Sequence, residues 1–276
     1  MRPGRAWCLP WLVFLAAGSA FSSGVVLDDR IAPVGGYVVA TVPGAEGAGE
    51  AEAFGRKFPM FPAGNGTLRA ILPVPLGTRA GSHILRFGLK NRALSQRLRV
   101  TGLPARPVRE LKGLLVNEER VQSLRNEGNL LAVLLLRASD RALWSETLRP
   151  PVAGRLSSPF GVKRRYGGGA EWVHRGVDYA AASGWPVVAP AAGVVLLARR
   201  MESYGNTVLL DHGQTVLTVY MHMKSLCVGK GDKVAEGQVI GQVGQTGMAA
   251  GPHLHFGVFI HGVAVDPAGF LERGLP

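Results

Sequence analysis

Glycine and proline interrupt this 276-residue chain so often, 38 and 18 times, that long helices have little room to form. The same residues end strands and make tight turns, so the chain is expected to be mainly β, built from many short strands. No Gly-X-Y period points to a collagen-like chain, and 47% hydrophobic against 18% charged residues excludes a disordered one. The length allows roughly two domains of about 150 residues. Two cysteines cannot supply a disulfide scaffold or a thiolate zinc cluster. A metal in this chain must therefore be held by histidine and carboxylate.

The first residues read as an export signal. Arg2 and Arg5 precede an apolar run from Ala6 to Gly18, and Gly18-Ser19-Ala20 offers a small-residue cleavage site. The run falls short of the roughly 20 apolar residues that a membrane span needs, and no cysteine follows it to accept a lipid. Residues 1–20 are thus expected to be a signal peptide, and the mature chain to be secreted to the periplasm or cell envelope. Cys8 leaves with the signal, and Cys227 is expected as a buried strand residue.

The formal charge is +12. From 21 to 150, 18 Lys and Arg stand against 11 Asp and Glu; from 151 to 276, 11 stand against 8. The excess therefore sits mainly in the first half, which suits attraction to an anionic cell wall or membrane surface. No aromatic-interleaved basic stripe or nucleic-acid motif accompanies it, so no nucleic-acid partner is expected.

Residues 21–105 alternate short apolar runs, Gly36 to Val42, Thr67 to Leu72, His83 to Leu89 and Arg97 to Val100, with turn residues that include the hairpin signal Asn65-Gly66. This is the pattern of a small antiparallel sandwich. It carries no cluster of titratable groups, so a structural or positioning role is expected. Residues 106–150 change to helical spacing: Asn117 can cap a helix, Glu118 and Glu119 occupy its first turn, and Val121, Leu124 and Leu130 to Leu136 follow. A helical connector is expected there, with Gly128 as a point where it divides. Pro150-Pro151 marks the next boundary and leaves 151–276 as the third segment.

The chemistry concentrates in that segment. His174 and Asp178 would lie about 13 Å apart along a continuous strand, too far to share one ion. A shared ion requires a bend, which Gly176 can supply; taken alone, the pair favours a surface ion pair. In His253-Leu254-His255, period-2 alternation puts both imidazoles on one strand face, their Cα atoms roughly 7 Å apart. The same alternation aligns Val216, Thr218, Tyr220 and His222. In combination, His174, Asp178 and His255 would supply three N/O ligands with a fourth position for water, the pattern of a catalytic zinc site and hence of hydrolysis.

These residues, taken with their neighbours, resemble the lysostaphin-like (LytM-type) peptidoglycan metallopeptidases. The resemblance runs through Ser157-Ser-Pro-Phe-Gly161, His174-Arg-Gly-Val-Asp178, Ala189-Pro-Ala-Ala-Gly193, Asp211-His-Gly213, Tyr220-Met-His222, Gly237-Gln-Val-Ile-Gly241, Gly251-Pro-His-Leu-His255 and Asp266-Pro267, in the family's order. It implies one Zn²⁺ held by His174, Asp178 and His255, with His222 and His253 as the catalytic pair. It also implies a two-layer antiparallel β peptidase fold with an open groove over 151–276, an Ig-like module ahead of it, and peptidoglycan stem peptides and their cross-links as substrate. The chain departs from the pattern at Ser203-Tyr204-Gly205-Asn206, where many members have consecutive glycines. Two imidazoles and one carboxylate would leave zinc a net +1, able to acidify a bound water. No HExxH glutamate is present, so a histidine must move the proton.

Three other readings compete. The glycine-flanked strands around Lys224 resemble a biotinyl or lipoyl carrier hairpin, which intact mass would reveal. Non-catalytic LytM-type proteins bind the wall and activate another hydrolase, but those typically lack ligands or catalytic histidines that are all present here. A carbohydrate-binding protein could use the sandwich alone. His212 and His261 are expected in turns, His83 lies outside the peptidase region, Tyr220 is expected in the core, and Lys163, Arg164 and Arg165 read as a solvated run able to attract acidic peptides.

Overall fold

A computed structural model describes residues 24–274 apart from 138, 145–147, 168 and 170; the expected signal peptide lies outside the described residues. Eight short strands fill residues 26–101, in hydrogen-bonded order Val26–Leu27, Tyr37–Pro43, Thr67–Pro73, Arg56–Pro62, Gly49–Ala53, Gly81–Leu89, Arg92–Thr101 and Ile31–Pro33. Arg56–Pro62 pairs with Gly49–Ala53 through residues 56–60 and with Thr67–Pro73 through Phe61 and Pro62, so it passes from one sheet to the other. Between the sheets lie Val38, Ala40, Phe58, Leu72, Phe87 and Leu98, the inward members of the alternation. Asn65 and Gly66 both have positive φ, 47° and 62°, the conformation of the hairpin turn their sequence predicts.

The expected connector is part strand and part helix. Arg109–Leu115 runs parallel to Lys163–Gly167 and pairs with it, and α1 follows over Glu118–Leu134. The Asn117 side chain accepts from the Arg120 N–H at 3.0 Å, which caps the helix as expected. Gly128 does not divide it. A mid-helix glycine costs only about 1 kcal/mol, and Leu131 and Leu135 anchor the following turn in a core of Leu197, Leu209, Leu217, Val219 and Met221.

The principal sheet of the C-terminal half runs in the order Arg155–Ser158, Val177–Ala180, His253–Ile260, Val216–Met223, Gly205–Asp211, Gly193–Met201 and Lys233–Val234, with Val263–Val265 beside His253–Ile260. One face, carrying Val208, Leu210, Tyr220, Leu254, Phe256 and Val258, packs beneath a small sheet of Pro186–Val188, Val239–Gln242 and Ser225–Leu226. Helix α1 lies against the opposite face. The expected mainly-β, two-layer architecture is therefore present, but the groove face is covered in part by a helix.

The N-terminal sandwich is not loosely tethered. Its Tyr37, Val39 and Ile71 belong to the same core as Phe160, Phe256 and Phe270, and Arg69 donates to Gln214 Oε1 at 2.7 Å. Cys227 is exposed in the loop after Ser225–Leu226 rather than buried in a strand as expected. His212 opens the expected hairpin turn, its N–H bonded to Val216 O at 2.9 Å, but its ring is buried, with Nδ1 2.8 Å from Ala192 O and Nε2 2.7 Å from Thr218 Oγ1, so it also braces the strands on either side.

Candidate metal centre

Adjacent strands bring the distant sequence motifs together. Antiparallel register sets Asp178 opposite His255. His174 stands just before its strand, and the chain turns at Gly176 so that its imidazole comes back to Asp178, as the spacing argument required. Gly176 has no positive φ; its requirement is space. A Cβ there would come 2.5 Å from Phe256 O and 2.8 Å from His255 Cε1 and Nε2.

His174 Nε2, His255 Nδ1 and Asp178 Oδ1 form a triangle with edges of 2.9, 3.0 and 3.0 Å. His174 Nδ1 lies 3.0 Å from Pro159 O, an acceptor, so that nitrogen carries the proton and Nε2 presents a lone pair. Asp178 Oδ1 also only accepts. His255 Nδ1 can bring at most one proton, so neutral rings cannot satisfy all three contacts. A cation can. Tetrahedral zinc with N and O ligands at 2.0–2.2 Å holds them about 3.3 Å apart, close to the observed edges. The donor set therefore fits the metal expected for it.

Burial sets the electrostatics. It pushes His174 down to about 4, against the pull of Asp178. For Asp178, burial acts upward, but hydrogen bonds and charge from His174 and His255 hold the carboxyl well below the usual carboxylate range. Its Oδ2 contacts Arg164, whose Nη2 also donates to Ser158 Oγ at 3.0 Å. Arg164 corrects the expectation of a wholly solvated Lys163–Arg165 run. In Lys163–Gly167, alternation turns Arg164 and Tyr166 toward the cleft, while Arg165 stays outside and pairs with Glu110 and Glu171. Reading that run as a strand would have separated the two arginines; counting it as a charge cluster concealed them.

His222 and His253 meet beside the triangle, their ring centroids 4.9 Å apart, with His255 6.3 Å from His222. His222 does not reach this place by simple alternation. Strict period 2 would put it with Tyr220 on the core face. Instead its φ is +63°, the pairing shifts between Asn206 and Val208, and Met223 takes the next core position. A left-handed non-glycine residue costs of order 1–3 kcal/mol. Here the His222 N–H donates to Tyr204 O at 2.9 Å, and Nδ1 lies 2.9 Å from Thr246 O. His253 Nδ1 lies 2.8 Å from Gly251 O. Each ring therefore keeps Nδ1–H on a carbonyl and leaves Nε2 as an acceptor. Burial, then repulsion by His253 and His255, lowers His222 to about 3; burial likewise lowers His253. Both rings are neutral at pH 7.

All five expected site residues line one cleft of about 1280 Å³, together with Arg164, Tyr204 and residues of α1. The sequence profile of Peptidase family M23 matches residues 172–267. Residues 172–267 form an M23 peptidase domain. The chain is similar to the DD-carboxypeptidase/endopeptidase Mpg of Neisseria meningitidis serogroup B, 42% identical over 120 residues, covering 44% of this chain and 28% of the relative. It is also similar to the peptidoglycan DD-endopeptidase ShyA of Vibrio cholerae, 42% identical over 93 residues, covering 34% of this chain and 22% of the relative. The chain thus spans less than a third of the length of these relatives. A solved M23 peptidase structure from Pseudomonas aeruginosa is 27% identical with a TM-score of 0.69, covering 90% of this chain and 97% of that one. The shared architecture therefore extends beyond the M23 domain into the N-terminal half.

Proposed function

We propose that this protein is a zinc-dependent endopeptidase of the cell envelope that hydrolyses peptide cross-links of peptidoglycan. One observation carries the reading: three lone-pair atoms from His174, Asp178 and His255 sit about 3 Å apart with too few protons to satisfy one another. Zinc, when bound there, acidifies water and polarises a carbonyl. The name of ShyA, a peptidoglycan DD-endopeptidase, supports peptidoglycan as substrate, and that of Mpg supports endopeptidase action.

The chain's own residues supply the rest of the chemistry. His222 and His253 each direct a free Nε2 beside the triangle, held by a backbone carbonyl at Nδ1. One takes the proton of the attacking water at Nε2, donates that N–H to the oxyanion while it holds it, and returns the proton to the departing amine. Their burial keeps them neutral near pH 7, with Nε2 unprotonated. Arg164 holds Asp178 in orientation through Oδ2. The basic first half positions the enzyme on the anionic wall, and residues 1–20 direct its export. The alternative, a non-catalytic wall-binding activator, leaves the complete set of five residues without a task.

The test is digestion of purified peptidoglycan by the mature protein, with mass identification of fragments, before and after chelation. Loss of cross-linked peptides that stops with chelation and returns with zinc is expected. Zinc-loaded protein that cuts neither sacculi nor soluble cross-linked peptides would overturn the reading.

A further inference from the structure

The loop that departs from the family's glycine pattern holds an anion. Glu202, Ser203 and Tyr204 form the three-residue turn between Gly193–Met201 and Gly205–Asp211, and their successive N–H groups all donate to the carboxylate of Glu127 on α1. Glu202 donates to Oε1, while Ser203 and Tyr204 donate to Oε2 at 3.0 and 3.3 Å. Consecutive N–H groups converging in this way make an anion nest. Glu127 is only 9% exposed, and among the described residues no Lys, Arg or His pairs with it. Its charge is held by the backbone donors alone.

The nest belongs to the cleft. Ser203 and Tyr204 line it beside His222, whose N–H is bonded to Tyr204 O. Arg125 and Arg175 line the same cleft, are exposed, and pair with no carboxylate among the described residues. The cleft therefore offers donors and positive charge to an anion, and a residue of the chain itself fills the strongest position.

We infer that the N–H groups of Glu202, Ser203 and Tyr204 are a carboxylate-binding subsite of the cleft, filled at rest by Glu127 and taken over by a carboxylate of an acidic peptide substrate when α1 moves aside. The inference rests on the peptidase reading for the identity of the peptide, but its physical content is an exchange of one carboxylate for another. Loop geometry then selects acidic peptides, and α1 makes binding competitive with an internal ligand.

The test uses zinc-loaded full-length protein and a linear stem tetrapeptide with free carboxylates, which contains no cross-link to cut, beside its fully amidated counterpart. Glu127→Gln removes the internal anion with little change of shape. Binding of the free-acid peptide should tighten at least tenfold by calorimetry, with amide NMR shifts at 202–204, while the amidated peptide gains less than twofold. Glu127→Asp, which keeps the charge but falls short of the nest, should move in the same direction. Equal gains for both peptides would mean that the helix merely obstructs the cleft, and no gain would mean that the nest takes no ligand; either overturns the inference. So would failure of both variants to fold, which would make Glu127 a structural strut. The shift in affinity supports the subsite whether or not cross-linked substrate is cut. Cleavage without that shift would retain the peptidase reading and remove the subsite.

Discussion

Replacing Gly176 by alanine tests how closely the metal triangle depends on the strand beneath it. Gly176 has no positive φ, so the new methyl group acts through contact. It would meet Phe256 O at 2.5 Å and the His255 ring at 2.8 Å, whereas ordinary contacts begin at 3.4 Å. Relief needs about 0.9 Å of movement from the Phe256 carbonyl and about 0.6 Å from the ring, well beyond the ±0.2 Å that metal–ligand distances tolerate. The carbonyl lies in a paired strand and the ring carries a ligand atom, so neither yields freely. Overpacking of this kind costs about 1–3 kcal/mol of stability. Displaced ligand support costs about 10–100-fold in metal affinity. Competition with a chromophoric chelator measures the zinc Kd, and thermal melts with and without zinc measure stability. Gly77→Ala, whose added methyl meets nothing within 4 Å, controls for generic loss of glycine. A Gly176→Ala protein with a Kd within twofold of wild type and the melting behaviour of the control would refute the reasoning.

Arg164→Ala should leave the fold intact yet weaken zinc binding by about 10–100-fold, because Asp178 loses the partner of its second oxygen; unchanged affinity by the same competition assay would show the contact to be idle. His222→Ala and His253→Ala should each keep zinc but lower turnover by on the order of a hundredfold or more, and metal analysis showing loss of zinc in either would make that residue a ligand instead. In metal-free protein, His174 and His222 titrate near 4 and 3 when folded but near 6.5 when unfolded. Protons therefore favour the unfolded chain below about pH 6.5, so stability should be full above that value and decline steadily toward pH 4; urea midpoints that stay level from pH 7 to 4.5 would contradict this.

The punctuation by glycine and proline was enough to read a mainly-β chain, and Asn65-Gly66 and Asn117 were legible because a tight hairpin and a helix cap are settled within a few residues. The pairing of His253 with His255 was legible for the same reason, since one strand's period determines it. Gly128 and Cys227 were misread because burial and helix continuity depend on what packs alongside. Arg164 was concealed among neighbouring charges, and only the strand's alternation and its nearness to Asp178 separate it from Arg165.

The residue types and their local periods thus determined the strands, the caps and the inventory of possible ligands. Tertiary structure decided which of them meet. Register set Asp178 opposite His255, a left-handed residue in a shifted strand pairing turned His222 from the core toward the cleft, and α1 came to lie on the sheet face that holds the histidines. Each of these joins atoms far apart in the chain, and pairing register, a local bulge and the docking of a helix are set by the summed packing of many residues rather than by any short stretch of sequence.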